Sequence, residues 1–450
     1  MAKDTFIQLH SELAALEPVR HVGRVADAEG GVLRVRGLTS IARLGDQLRI
    51  LMKTGGDIGA EVIALKENGI LALPEGGTEG IGLEDAVVHY GSLEIAPDDS
   101  WIGRVIDPFG RPLDGTPILR GPRPRSIIAD PPNPTERRSF GTRLETGMAA
   151  FDTVLPLAAG QRIGLFAGSG VGKSSLLGRF AQRVEADVVV LALIGERGRE
   201  VSEFIERILG PEGMRRTIVI AATSDQAPQT RRRAAWTAMA VAEHFRDEGL
   251  NVLLMADSIT RFAEAHREVA VAAGETPSLR GYPASTSHMI MSLCERAGTG
   301  AGSAGNITAV FTVLVAGSDM EGPIADIMRG VLDGHVVMDR EIAERGRYPA
   351  IDLLRSVSRS LPDAATEDEN AAIAEARQLL GAYDRAEMMV QAGLYQSGSD
   401  PLLDRAIAVW PALDAFLAES SPEGSIAAFE KLQNCLNRQV RMASPRVPAG

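Results

Sequence analysis

Ala167-Gly168-Ser169-Gly170-Val171-Gly172-Lys173-Ser174-Ser175 gathers three glycines, a lysine and two adjacent hydroxyls. The run follows the apolar Arg162-Ile163-Gly164-Leu165-Phe166 and precedes Leu176-Leu177-Gly178-Arg179-Phe180. Strand, glycine-rich turn and helix start in that order let successive backbone N–H groups wrap the phosphates of a nucleotide. Gly168, Gly170 and Gly172 permit the path, and Val171 and Ser175 complete the loop. Lys173 can reach the β- and γ-phosphates, Ser174 can place its hydroxyl on Mg²⁺, and the helix start aims its positive end at the phosphates. The first position of G-x-x-x-x-G-K-[ST] is Ala167 rather than glycine, a small departure. The stretch predicts binding of a nucleoside triphosphate.

Hydrolysis needs more than a cradle: a held cation, an oriented water and neutralised charge on the transferring phosphoryl group. Val252-Leu253-Leu254-Met255-Ala256 ends in Asp257, the arrangement of a Walker-B carboxylate at the end of a buried strand. Its plain alternative is a helix N-cap. Glu196, in Gly195-Glu196-Arg197-Gly198-Arg199-Glu200 just past the strand Val188 to Ile194, is placed to orient the water, and Glu200 to reach the metal's water shell. A solvated charge run at a helix start would look the same.

Several segments must position these groups. Phe6, Leu9, Leu13 and Leu16 form one stripe on a short helix ending before Pro18, which rests either on its own domain or on a partner. From Val19 to about Tyr90, short alternating segments separated by glycine predict a small β-barrel or sandwich. The proline-rich stretch from Ile95 to Arg138 reads as an extended linker. Strands are then predicted at 162–167, 187–194, 217–222, 252–256 and 307–315, alternating with helices at 200–209 and 230–248, which implies a parallel sheet covered on both faces. Helical patterns at 369–392, 401–418 and 424–438 close the chain. The predicted divisions are therefore an amphipathic helix over 1–17, a barrel over 18–92, a P-loop domain over 93–365 and a helical domain over 366–450.

Composition bounds the reading. Among 450 residues there is no apolar run of ~18, and the start has no signal-peptide layout, so a soluble intracellular protein is expected. Cys294 and Cys435 are isolated and carry no function. A net charge of −12 and 4% aromatic residues argue against nucleic acid as a partner. The basic run Arg231-Arg232-Arg233 reads as a solvated or subunit-contacting helix end rather than a nucleic-acid site.

Gly195 to Val201, Thr223 to Gln226, Ala242 to Asp247, Asp257 to Ala263 and Tyr348-Pro349-Ala350-Ile351-Asp352 together resemble the ATPases of type III protein export, the flagellum-specific ones above all, which are related to the α and β subunits of rotary ATP synthases. The resemblance extends over Gly103 to Asp107, Gly110 to Gly115 and Gly398 to Pro401. It implies an α/β fold, a RecA-like P-loop core between an N-terminal β-barrel and a C-terminal helical domain. It also implies that Glu196 activates water, that Arg197 is the adjoining phosphate-side arginine, and that Arg359 is a finger inserted into the neighbouring copy's site. Tyr348 matches the aromatic that stacks on adenine, although a tyrosine before proline also suits a core. ATP and Mg²⁺ would be bound by a homohexamer peripheral to the cytoplasmic face of the inner membrane. Its implied partners are a stator protein on the N-terminal helix, a stalk, the export gate and chaperone–substrate complexes. Ala284 departs from the family's G-Y-P-P-S pattern, and the loop Val269 to Arg280 before it is expected to face the central channel.

Four other readings compete. A virulence-type secretion ATPase shares the same catalytic motifs. A rotary ATP synthase subunit fits the phosphate loop and Gly195 to Val201 less well. A nucleic-acid translocase ring is opposed by charge and aromatic content, and a non-enzymatic scaffold by Glu196 and Arg359.

Overall fold

The structure is a computed structural model and describes residues 9, 11, 13, 16, 19–315 and 320–437. Six strands, β1 (Val22–Glu29), β2 (Val32–Arg36), β3 (Gln47–Leu51), β4 (Asp57–Lys66), β5 (Gly69–Pro74) and β6 (Ala86–Gly91), close into a barrel in the order β1-β2-β5-β4-β3-β6. Alternation drives closure: Val25, Leu33, Val35, Leu48, Ile50, Val62, Ile70 and Val87 point inward and fill it.

The second layer system is a largely parallel sheet. Its strands are β7 (Val105–Ile106), β8 (Arg162–Ala167), β9 (Val188–Glu196), β10 (Thr217–Thr223), β11 (Asn251–Asp257), β12 (Asn306–Leu314), β13 (Gly334–Met338) and β14 (Ile351–Ser358). They run in the order β14-β13-β8-β12-β11-β9-β10-β7, with Gly298–Thr299 paired to β12. β9 is buried along eight of its nine residues, the continuous apolar run expected of a strand covered on both faces. Helices α1 (Lys173–Arg183), α2 (Gly198–Glu203), α3 (Pro228–Asp247) and α4 (Ile259–Ala272) connect and cover these strands. The carboxyl ends of β8, β9 and β11 lie at one edge of the sheet, where ligands bind in such folds.

Three helices follow: α5 (Glu367–Gln391), α6 (Pro401–Phe416) and α7 (Ser425–Leu436). Thr366 and Glu369 form a reciprocal capping box at the start of α5, and Asp400 caps α6. Leu379, Leu413, Phe416 and Leu432 from these helices enter the same core as Phe151 and Phe180, which ties them to the sheet domain.

The structure departs from the sequence reading in several places. The proline-rich stretch supplies β7 to the edge of the large sheet rather than serving only as a linker. The segment expected as one helix at 200–209 becomes π-helical from Phe204 to Leu209, and α4 continues to Ala272 into the expected channel loop. Leu9, Leu13 and Leu16 of the N-terminal stripe are exposed, whereas Phe6 lies outside the described residues. Among the described residues no helix is long and apolar enough to cross a membrane.

The basic run is the clearest correction. Arg232 and Arg233 are not solvated: both pair with Glu61 of the barrel, Arg233 at 2.5 Å with each side chain only 2% exposed. Arg233 also donates to Gln47 Oε1 at 2.8 Å, and Gln229 donates to the Pro74 carbonyl at 2.7 Å. Barrel and sheet domain are thus joined by a dry ionic seam. Glu61→Ala strands two guanidinium groups there and is expected to cost about 3–5 kcal/mol of stability, read as a lower urea midpoint. An unchanged midpoint would show that the seam carries little.

Candidate active site

The phosphate loop leaves β8 at Ala167 and enters α1 at Lys173. Gly170 and Gly172 adopt φ of 79° and 90°, a region that side chains rarely tolerate. A Cβ on Gly172 would also lie 3.1 Å from the Tyr348 ring, so that ring sits against the loop, 45% exposed.

Three acidic groups reach the same edge. Asp257 ends β11 and is 2% exposed; Lys173 Nζ lies 2.5 Å from its Oδ1 and 3.6 Å from Glu196 Oε1. Asp257 is not a helix cap, because Ser258 takes that place and accepts from the Arg261 N–H. Glu196 ends β9, and Glu200 follows on the first turn of α2 beside Arg197 at 2.9 Å. Burial, together with the charge on Asp257, raises the Glu196 carboxyl above its ordinary range, while Lys173 opposes this. Glu200 moves the other way: burial would raise it, but hydrogen bonds with Glu196 and Arg197 win and lower it. Of the two neighbouring carboxyls, Glu196 is therefore the one that holds a proton more readily.

Arg197 extends into solvent with its side chain 81% exposed, so among these groups it touches only Glu200. Arg359 is elsewhere. Its backbone N–H bonds the Asp333 carbonyl, and Asp333 in turn bonds Arg162 at the start of β8. With ~3.3 Å per residue along β8, about 17 Å separates that point from the phosphate loop. Arg359 is exposed and cannot reach its own loop.

Two residues at this edge received no role from the sequence. Thr312, on β12 between the loop strand and the Asp257 strand, donates to Asp257 Oδ1 at 2.7 Å. A threonine inside an apolar strand is an ordinary β-former and gives no local signal. Arg261 packs its stem 3.3 Å from where a Gly195 Cβ would stand, beside the loop of Glu196. Its place one turn after Asp257 could have flagged it.

Ser174, Asp257 and Glu200 offer hydroxyl and carboxylate oxygens, the donor set a hard divalent cation takes. Among the described residues no three acidic, thiol or imidazole groups form a closed cage. Mg²⁺ binds through one or two carboxylates and substrate phosphates while keeping its waters.

Fold and site together define a P-loop ATPase. Residues 147–358 match the nucleotide-binding domain of the ATP synthase alpha/beta family, and residues 365–434 match the T3SS EscN ATPase C-terminal domain. The chain belongs to the flagellum-specific and type III secretion ATPases of that family. The flagellum-specific ATP synthase of Caulobacter vibrioides is 43% identical, with 93% of this chain and 96% of that protein covered. The type 3 secretion system ATPase of Xanthomonas euvesicatoria is 42% identical over 94% and 95%. The assembled ATPase EscN of enteropathogenic E. coli, solved with its central stalk EscO, superposes with a TM-score of 0.83 at 38% identity, covering 92% of this chain and all of that one.

Proposed function

We propose that this chain hydrolyses ATP in a closed ring of six copies at the cytoplasmic face of the membrane, assisting passage of flagellar proteins through a type III export gate. The observation that carries the ring is the separation of Arg359 from its own phosphate loop: the finger and the cradle of one copy can work only with those of its neighbours.

The chain's own groups divide the work. The loop from Ala167 to Ser175 binds the phosphates, and Lys173 turns from Asp257 to the β- and γ-phosphates. Tyr348 stacks on adenine. Glu196 orients the attacking water and accepts its proton, and Arg197 swings to the phosphate side. Arg359 of the adjoining copy balances charge on the transferring phosphoryl group. Mg²⁺, held by Ser174 and Asp257 with Glu200 acting through its water shell, would neutralise the β- and γ-oxygens. Localisation at the membrane follows from partners: a stator on the exposed Leu9, Leu13 and Leu16 stripe, a stalk in the ring's channel as EscO is for EscN, the export gate, and chaperone–substrate complexes.

Removing residues 1–17 tests this assignment. Hydrolysis by the truncated ring is expected to persist while stator capture and filament assembly are lost. Normal filaments with loss of effector secretion would favour the second reading, a virulence-type apparatus, which the Xanthomonas relative supports. Undiminished stator capture would refute the role given to the helix.

A further inference from the structure

Asp257 is a buried carboxylate whose two donors among the described residues fall on the same oxygen. Lys173 Nζ and Thr312 Oγ1 both approach Oδ1, at 2.5 and 2.7 Å. The Thr312 hydroxyl has one proton and two acceptors within reach, Asp257 Oδ1 and the Ala256 carbonyl at 3.4 Å. The shorter, charged acceptor takes the proton. Thr312 itself is fully buried, and its strand lies between β8 and β11, so the hydroxyl stands on rigid sheet rather than on a loop.

The two donors differ in one respect: Lys173 reaches Asp257 on a long, rotatable side chain, whereas Thr312 stands on the sheet itself. On the ATPase reading above, on which this inference rests, Lys173 must leave Asp257 for the incoming phosphates. The carboxylate is 2% exposed, so water cannot readily replace the departing ammonium. A buried anion stripped of its last donor is costly.

We infer that Thr312 is a positioning residue for the nucleotide site: its hydroxyl stays on Asp257 Oδ1 when Lys173 departs, which keeps the carboxylate satisfied. Without that hydroxyl, Lys173 is the one donor left to Oδ1 among the described residues. It is then held more tightly, and ATP must break a stronger pair to enter.

The test is binding of a fluorescent ATP analogue to the full chain with divalent cations chelated, so that neither turnover nor metal enters the reading. Thr312→Val, the same shape without the hydroxyl, is expected to weaken binding about 10- to 100-fold, the worth of one hydrogen bond to a buried charge. Its thermal midpoint should match that of the unaltered chain, and Thr312→Ser should restore affinity. In an Asp257→Asn background, adding Thr312→Val should cause no comparable further loss. Equal affinity of the valine and unaltered chains would overturn the proposal, as would a folded serine variant that stays weak or a full additional loss in the Asp257→Asn background. Should the valine variant not fold, Thr312→Ala compared with Thr312→Ser makes the same distinction. A chain that bound no ATP even unaltered would overturn the ATPase reading instead.

Discussion

Replacing Arg359 with alanine is expected to lower kcat by about 10³–10⁵, the usual worth of a finger guanidinium at the transition state, and to leave ATP affinity nearly unchanged. The loss falls on kcat because Arg359 lies at the far end of the sheet from its own phosphate loop and makes no contact with the resting site. Its side chain there touches the Arg329 carbonyl at 3.4 Å, a long and replaceable contact, so folding should be little affected. Mixing decides between a finger acting in trans and a structural role. Chains with Arg359→Ala keep a sound cradle, and chains with Lys173→Ala keep a sound finger. Each alone is inactive, and together they should recover part of the rate through the junctions where sound halves meet. No recovery at any ratio would remove the interface mechanism. Specific activity of the unaltered chain should also rise with protein concentration as rings form.

Glu196→Gln is expected to lower kcat by about 10²–10⁴ while leaving KM close to its original value. Glutamine keeps the shape and can still hydrogen-bond water, but it cannot take a proton. A variant with normal turnover would exclude Glu196 as the base. The same residue predicts the acid limb of the pH–rate profile. Burial and the neighbouring Asp257 charge raise its carboxyl, so activity should fall away at a higher pH than an ordinary glutamate would give. The sign for stability is opposite to that of most carboxylates. The folded chain holds this proton more tightly than the unfolded chain does. Ionising Glu196 therefore costs stability progressively as pH rises from the ordinary glutamate value through the raised one. At neutral pH the glutamine variant should unfold at an equal or higher urea concentration than the unaltered chain, even as it loses activity.

The parts of this molecule that repeat a local pattern were legible in the sequence. The phosphate loop is contiguous, and Asp257 ends a run of five apolar residues. The barrel strands alternate cleanly, and the first two of the three terminal helices begin at side-chain caps, Thr366 and Asp400. What escaped depends on distant partners. β13 is only five residues long, and β14 is an edge strand that carries Asp352, Arg355 and Ser356, so neither shows a long apolar run. The partner of Arg232 is Glu61, 171 residues away, and nothing near Arg232 announces a buried acid. Thr312 likewise acquires its meaning only from the strand order that places it between two functional strands.

Because each copy carries its phosphate loop at one end of the sheet and Arg359 at the other, an assembly that joins the two has a sense of direction, like links that hook only head to tail. A broken circle then always wastes two half-sites, one at each loose end. Closing the gap with a last copy restores both at once, so the final recruit contributes more turnover than any recruited before it.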